Sequence, residues 1–292
     1  MRVTVQIVNA FIDGPSGGNP AGVVLDADAL TPAQKLRIAQ QVGLSETAFV
    51  SASDKATVKL EFFTPVRQIA HCGHATVATF SLLRQRGALG DGRFSKETID
   101  GHRDILIEGD TVFMEQTAPV FNRIDATSGT GARIALSMGM ATGPRPGMLD
   151  PFVVSTGNAF LLIQLPDARS LAELRPRQEL LQAISEELDL IGAYAFTTET
   201  QRPGRHAGAR MFAPRFAIPE EAGTGMAAGP LACLLHDVLH VQDQHMHIEQ
   251  GWLMQPPSPS VIRVVLQMEH GRIARLMAGG TARISASTVV EV

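Results

Sequence analysis

The sequence predicts an α+β protein made of two similar halves, and three observations lead there. Residues 60–87 pass from a strand pattern through a Pro turn into an apolar helix. A second copy of that succession stands at residues 210–235, and short alternating or apolar strand patterns fill most of the remaining chain.

In the first copy a strand is expected at residues 58–63, a turn at Pro65, and a helix whose first turn begins at Cys72-Gly73-His74 and which Gly87 closes. Ala75, Val77, Ala78, Phe80, Leu82 and Leu83 leave this helix no polar face, the pattern of a helix surrounded by protein. The N-terminus of such a helix has amides without intrahelical acceptors and carries the positive end of the dipole, so it can receive a carboxylate. Cys72 and His74 flank that end, and a thiol and an imidazole are groups that proton transfer beside a carboxylate can use. Taken alone, the same residues fit a helix start with a buried cysteine and a capping histidine.

The repetition favours a site. Phe63-Thr64-Pro65 is echoed by Phe212-Ala213-Pro214, and Cys72-Gly73-His74-Ala75-Thr76 by Thr224-Gly225-Met226-Ala227-Ala228, each leading into an apolar helix. Two helix N-termini facing each other across a cleft would hold one anionic substrate.

The other elements follow in order. Residues 1–11 alternate like a strand, 13–20 form a loop of turn formers, and 21–25 form a short apolar strand. Thr31-Pro32 opens an amphipathic helix that Gly43 closes. In residues 44–50 one acid, Glu46, interrupts an otherwise apolar strand. Buried there, its carboxyl would be pushed toward the range of a usable base, whereas at an edge it would simply face water. Strands are expected at 105–107 and 111–116, a crossing into the second half at 117–119, and a Gly-, Pro-, Ala- and Met-bearing stretch at 128–151 with a helical patch at 132–138. Strand patterns return at 153–158, 160–165 and 193–198, with residues 171–191 reading as helical between them. The last strands are expected at 248–251, 261–268 and 284–292, with Gly279-Gly280 as a turn.

His236 and His240 have the spacing of a zinc-binding helix, and His245 and His247 follow. An exposed helix C-terminus suits histidines without any metal, and none is expected. Cys233 lies inside the second apolar helix as a small buried hydrophobe. With 292 residues, 45% of them hydrophobic, and a net charge of -4, the chain has no basic stretch for nucleic acid and no apolar run long enough to cross a membrane. The start lacks a signal-peptide pattern, and two cysteines make no disulfide framework, so a cytoplasmic location is expected.

The motifs Asn9-Ala10-Phe11, Gly18-Asn19-Pro20-Ala21, residues 44–50, Phe63-Thr64-Pro65, Cys72-Gly73-His74-Ala75-Thr76, Phe212-Ala213-Pro214, residues 223–231 and Gln250-Gly251 together resemble the phenazine-biosynthesis PhzF-like isomerases. The resemblance implies the diaminopimelate-epimerase-like fold: two pseudo-twofold-related domains, each with a curved mixed sheet wrapped around a central helix. It places residues 1–116 with a last strand at 279–292 in one half, residues 117–278 in the other, and the active site in the cleft between them. It also implies a cofactor-independent proton shift on a small carboxylate-bearing molecule, in a homodimer. By position Glu46 resembles the catalytic acid/base, His74 the active-site histidine and Glu221 an acid that is usually Asp. Asn19, Gly73, Gly225 and Met226 fall at substrate contacts.

Gln68 stands where an acid is common, Met226 where Ser is, and residues 250–260 lack the usual Arg, so a less polar pocket and a compact monocarboxylate with an apolar or cyclic body are expected. Related diaminopimelate epimerases and proline racemases use two cysteines at the helix starts, where this chain has Cys72 and Thr224. A Cys72-dependent racemase, epimerase or dehydratase is therefore the alternative mechanism, and a non-enzymatic binding protein on the same scaffold a third reading.

Overall fold

A computed structural model describes residues 1–99, 101–142 and 146–292. It divides into two compact units, Met1–Glu115 with Gly279–Val292, and Gln116–Ala278. Part of the Gly- and Pro-bearing stretch expected at 128–151, residues 143–145, lies outside the described residues.

The first unit contains β1 (Arg2–Ala10), β2 (Asn19–Val24), α1 (Pro32–Val42), β3 (Thr47–Ser51), β4 (Val58–Phe63), β5 (Gln68–Ile69), α2 (Gly73–Gln85), β6 (Gly92–Thr98), β7 (Gly101–Glu108) and β8 (Thr111–Thr117, with residues 116 and 117 in the second unit). The end of the C-terminal strand Arg272–Glu291 pairs antiparallel with β1, β1 with β2, β2 runs parallel to β3, β3 is antiparallel to β4, β4 parallel to β6, β6 antiparallel to β7, and β7 antiparallel to β8. Residues 73–82 of α2 are all buried, as an apolar circumference requires, and the helix packs on β1, β2 and β3. α1 is capped by a reciprocal Thr31–Gln34 box and buries Ile38 and Ala39 in a cluster with Phe49 and Phe63.

The second unit contains β9 (Val120–Arg123), α3 (Gly129–Ser137), β10 (Phe152–Ser155), β11 (Ala159–Gln164), α4 (Ala168–Glu173), α5 (Gln178–Glu187), β12 (Gly192–Thr197), β13 (Ala207–Ala213), β14 (Ile218–Glu221), α6 (Gly225–Asp237), β15 (His245–Gln250) and β16 (Ser260–Glu269). Its pairings repeat the first unit's in kind: β9 with β10 and β10 with β11 antiparallel, β11 parallel to β12, β12 antiparallel to β13, β13 parallel to β15, and β15 antiparallel to β16. The short strands β5 and β14 add antiparallel to β4 and β13, each directly before a buried helix. The duplication first seen in two sequence patches thus extends to the hydrogen-bond pattern of each unit. Among the described residues no helix is long and apolar enough to cross a membrane.

Two expectations need correction. Residues 171–191 hold two helices rather than one, because Pro176 cannot continue α4. The carbonyls of Leu171, Ala172 and Leu174 that the break frees accept from the Arg210 guanidinium, which also makes a two-pronged pair with Glu220 at 2.8 Å. Gly279-Gly280 is not a turn. The C-terminal strand runs straight through it, and the reversal lies at His270-Gly271, both with positive φ (51° and 76°). Gly279 is required by close approach, since a Cβ there would sit 2.1 Å from the Val112 carbonyl oxygen. Gly279→Ala is therefore expected to cost about 2–4 kcal/mol of unfolding free energy. Gly271→Ala, with open space around it, should cost about 1–2 kcal/mol for its left-handed backbone alone, and urea titration separates the two.

Candidate active site

Glu46 is the residue before β3, and its carbonyl accepts from the Gly22 amide at 3.1 Å, which fixes the turn into the strand. It is only 4% exposed, so the water-facing edge position does not hold. Cys72 caps α2 from an extended conformation without a side-chain cap bond, and His74 sits in the first helical turn. The imidazole stands between the other two groups, with Nδ1 3.5 Å from Cys72 Sγ and Nε2 3.4 Å from Glu46 Oε2. Burial pushes the Cys72 thiol up; His74 works against that shift and the Glu46 charge adds to it. A thiol that keeps its proton can donate to Nδ1, which leaves the imidazole proton on Nε2, the nitrogen 3.4 Å from Glu46 Oε2.

A buried cation lies below this start. Lys96 of β6 has no exposed surface; its Nζ donates to Thr76 Oγ1 at 2.6 Å, contacts His71 Nδ1 at 3.2 Å and stands 5.1 Å from the Phe62 ring centre. Thr76 Oγ1 in turn donates to the Cys72 carbonyl at 2.6 Å, so the ammonium is tied through one hydroxyl to the helix start. Burial, then the charges of Lys96 and Arg103, hold His71 well below its ordinary value, so the ring is neutral and accepts from Lys96. The unfolded chain binds the proton first, near pH 6.5, so this contribution is complete above that pH and is lost as pH falls toward the folded value. Stability measured by urea should decline from pH 7 to pH 5, and His71→Gln should make that decline shallower.

In the second unit Glu221 ends β14, and Thr224 occupies the cap position of α6. Thr224 Oγ1 donates to Glu221 Oε2 in a short contact. Gln250, fully buried at the end of β15, joins the rest. Its Oε1 accepts from the Thr224 amide and the Tyr194 hydroxyl, both at 2.9 Å, and its Nε2 donates to the Glu221 carbonyl at 2.7 Å and Thr224 Oγ1 at 3.1 Å. Burial, with the Glu221 charge behind it, pushes the Tyr194 phenol well up, so it stays a neutral donor. Gln116 Nε2 donates to the Gly225 carbonyl at 3.0 Å and its Oε1 accepts from Thr156 at 2.6 Å, bracing the same helix start. Met226 is half-buried, and Asn158 Nδ2 lies 3.6 Å from its sulfur.

The structure thus brings Glu46, Cys72, Gly73 and His74 together in one unit, and Glu221, Thr224, Gly225 and Met226 in the other. Asn19 is buried at the start of β2, opposite Ala10, on the strand that packs against α2. Cys233 is buried in α6 with its thiol pushed up. The His236/His240 spacing does not form a helical pair, because α6 ends at Asp237 and His240 lies past it at φ 58°. Sequence reasoning missed Gln250 as the centre of the second network and gave no role to Tyr194 or Lys96. The signal present was a polar side chain closing a strand that alternates polar and apolar residues up to Ile248. Gln250→Leu strands four buried partners and should cost about 3 kcal/mol or more, while Tyr194→Phe, which removes one hydroxyl, should cost about 1 kcal/mol in the same unfolding assay.

The model of the family described as "Phenazine biosynthesis-like protein" matches residues 8–287. The chain is 30% identical over 291 residues to "Uncharacterized isomerase YddE" of Escherichia coli (strain K12), covering 97% of each chain. It is 31% identical over 294 residues to trans-2,3-dihydro-3-hydroxyanthranilate isomerase of Pseudomonas fluorescens, covering 98% of this chain and 93% of the relative. The crystal structure of the Bacillus anthracis phenazine biosynthesis protein of the PhzF family superposes with a TM-score of 0.88 at 28% identity, covering 100% of both chains. The fold is diaminopimelate-epimerase-like.

Proposed function

The chain belongs to the phenazine biosynthesis-like family and is an isomerase; on that premise we propose that it moves a proton between two carbons of a small monocarboxylate, with Glu46 as acid and base and without a cofactor. The observation that carries this reading is the buried contact of Glu46 Oε2 with His74 Nε2 at 3.4 Å. A carboxylate buried to this degree is costly to keep charged, and an imidazole nitrogen this close lowers that cost when it carries the proton.

The steps balance within the substrate. Glu46 takes a proton from an acidic carbon, the electron pair moves into the adjoining π system, and the protonated carboxyl returns the proton to a second carbon, giving an isomer with no net gain or loss. His74 Nε2–H steadies the carboxylate before and after each transfer, and Glu221, through the Thr224 hydroxyl, has the corresponding place at the second helix start. The amide of Gly73, at the first helical position of α2, supplies an anion contact for a substrate carboxylate, and Gly225 holds the same position in α6.

The relative's dihydrohydroxyanthranilate substrate is a cyclic carboxylate. Met226 and the absent Arg leave this chain fewer polar handles, so a compact cyclic acid with an apolar body is the substrate class we favour.

Two observations disfavour a thiol base. The Cys72 proton is held by burial, and at the second position Thr224 offers a hydroxyl already committed to Glu221 and Gln250. Solvent deuterium should enter members of a panel of cyclic amino and hydroxy acids when incubated with the protein, read by proton NMR. Glu46→Gln should slow that exchange by about 100-fold or more without unfolding the chain, and Cys72→Ser should slow it by less than about tenfold. The reverse ranking would transfer the reaction to the thiol, and a panel with neither exchange nor thermal stabilisation would leave a binding protein.

A further inference from the structure

The trio in the first unit has a second chemical capacity. Glu46, Cys72 and His74 each offer one ligand atom, and these atoms lie within 4.8 Å of one another; among the described residues this is the one group of His, Cys, Asp or Glu side chains with that property. A tetrahedral zinc site with one sulfur, one nitrogen and one oxygen sets its ligand atoms about 3.3–3.7 Å apart, from bonds of about 2.0–2.3 Å. The contacts already present, Sγ to Nδ1 at 3.5 Å and Nε2 to Oε2 at 3.4 Å, fall in that range, although they use opposite nitrogens of one ring. A metal takes only one of those nitrogens, so one remaining ligand must close by up to about an ångström, within reach of a rotation about the Cys72 Cα–Cβ bond.

The position is buried, with 3–4% of each of the three residues exposed. The nearby charges decide whether a cation is tolerated. The positive end of α2 and the Lys96 ammonium beyond Thr76 oppose it, while a thiolate and a carboxylate bring two negative charges into direct contact with it. Two anionic ligands and one neutral imidazole match a soft divalent cation and leave its fourth position open.

We propose that Glu46, Cys72 and His74 form an inhibitory binding site for a soft divalent cation of the zinc or cadmium kind. On binding, a metal–sulfur bond replaces the Cys72 S–H bond, the proton leaves to solvent, and no electron is transferred. The Glu46 oxygen and the His74 nitrogen become ligands and are no longer available to substrate. Binding itself does not depend on the isomerase reading; only the inhibition does.

Cadmium separates this site from half-buried histidines such as His206 and His247, because only a thiolate ligand gives the ultraviolet sulfur-to-cadmium charge-transfer band. The full chain, freed of metal with a chelator and kept reduced, should develop that band to saturation at one equivalent of cadmium and lose it when chelator is added. Cys72→Ser should abolish the band, and Cys233→Ser should leave it. Glu46→Gln and His74→Gln should each weaken cadmium binding by at least about tenfold, with circular dichroism verifying that every variant is folded. A wild-type protein without the band overturns the proposal, as does a band that survives Cys72→Ser. A band whose affinity is indifferent to both Glu46→Gln and His74→Gln shows a lone thiol binding and overturns the three-ligand site. All of these results stand without a known substrate, so a failed metal site and a failed isomerase reading are told apart.

Discussion

A helix enclosed on every side by protein can offer chemistry only at its ends, and that constraint governs both units. Residues 73–82 of α2 are buried without interruption, and residues 225–235 of α6 are buried except for Met226. The sides of both helices are spent on packing, so what each presents to a ligand is its N-terminal turn, with unpaired amides and the positive end of the dipole. The sequence follows from this. The functional side chains stand at the cap and first-turn positions, Cys72 and His74 in one case and Thr224 in the other.

The two starts are built to different specifications. In the first, the cap residue is a thiol that makes no cap bond and leans on an imidazole, and the nearest acid comes from the residue before a neighbouring strand. In the second, Thr224 is held between an acid three residues upstream and an amide from β15, so its hydroxyl and amide are both committed. A duplicated scaffold has kept its hydrogen-bond pattern and let the chemistry of its two helix ends diverge. That is the expected outcome when packing constrains the sides of a helix and leaves its first turn free to vary.

How much of this was legible in the sequence depended on the range of the interaction concerned. The apolar run of α2 and its stop at Gly87 are local signals and read directly, as did Glu46, an acid where burial would be costly. The break at Pro176 was visible but was overridden by apolar periodicity on either side. Gly279-Gly280 carried a turn signal, yet the glycines serve a close approach of strands, a contact between residues far apart in the chain. The reading gave no element at residues 92–98, because Lys96 looks like a solvent residue until Thr76 and His71 are found to accept from it. Gln250 was quoted only as part of a motif, and its partners, 26 to 56 residues away, could not be inferred from pattern. Local periodicity therefore carried the helices and the first-turn residues, and long-range side-chain bonds, which no period encodes, carried what was missed.

The pairing of β1 with the C-terminal strand, from Arg2 opposite Glu291 to Ala10 opposite Ala282, bears on how the chain can be made. During synthesis the second unit, continuous from Gln116 to Ala278, is translated before residues 279–292, so the first unit waits for a strand made after it. Until then β1 is paired on the β2 side only, and its other edge is open to wrong partners. The Met1 nitrogen already meets the Val292 carbonyl, so residues 1 and 292 are adjacent. A circular permutant that joins them and begins at Gly279 would place the late strand directly before β1, turning a first unit in two pieces into one that a ribosome could finish in a single pass.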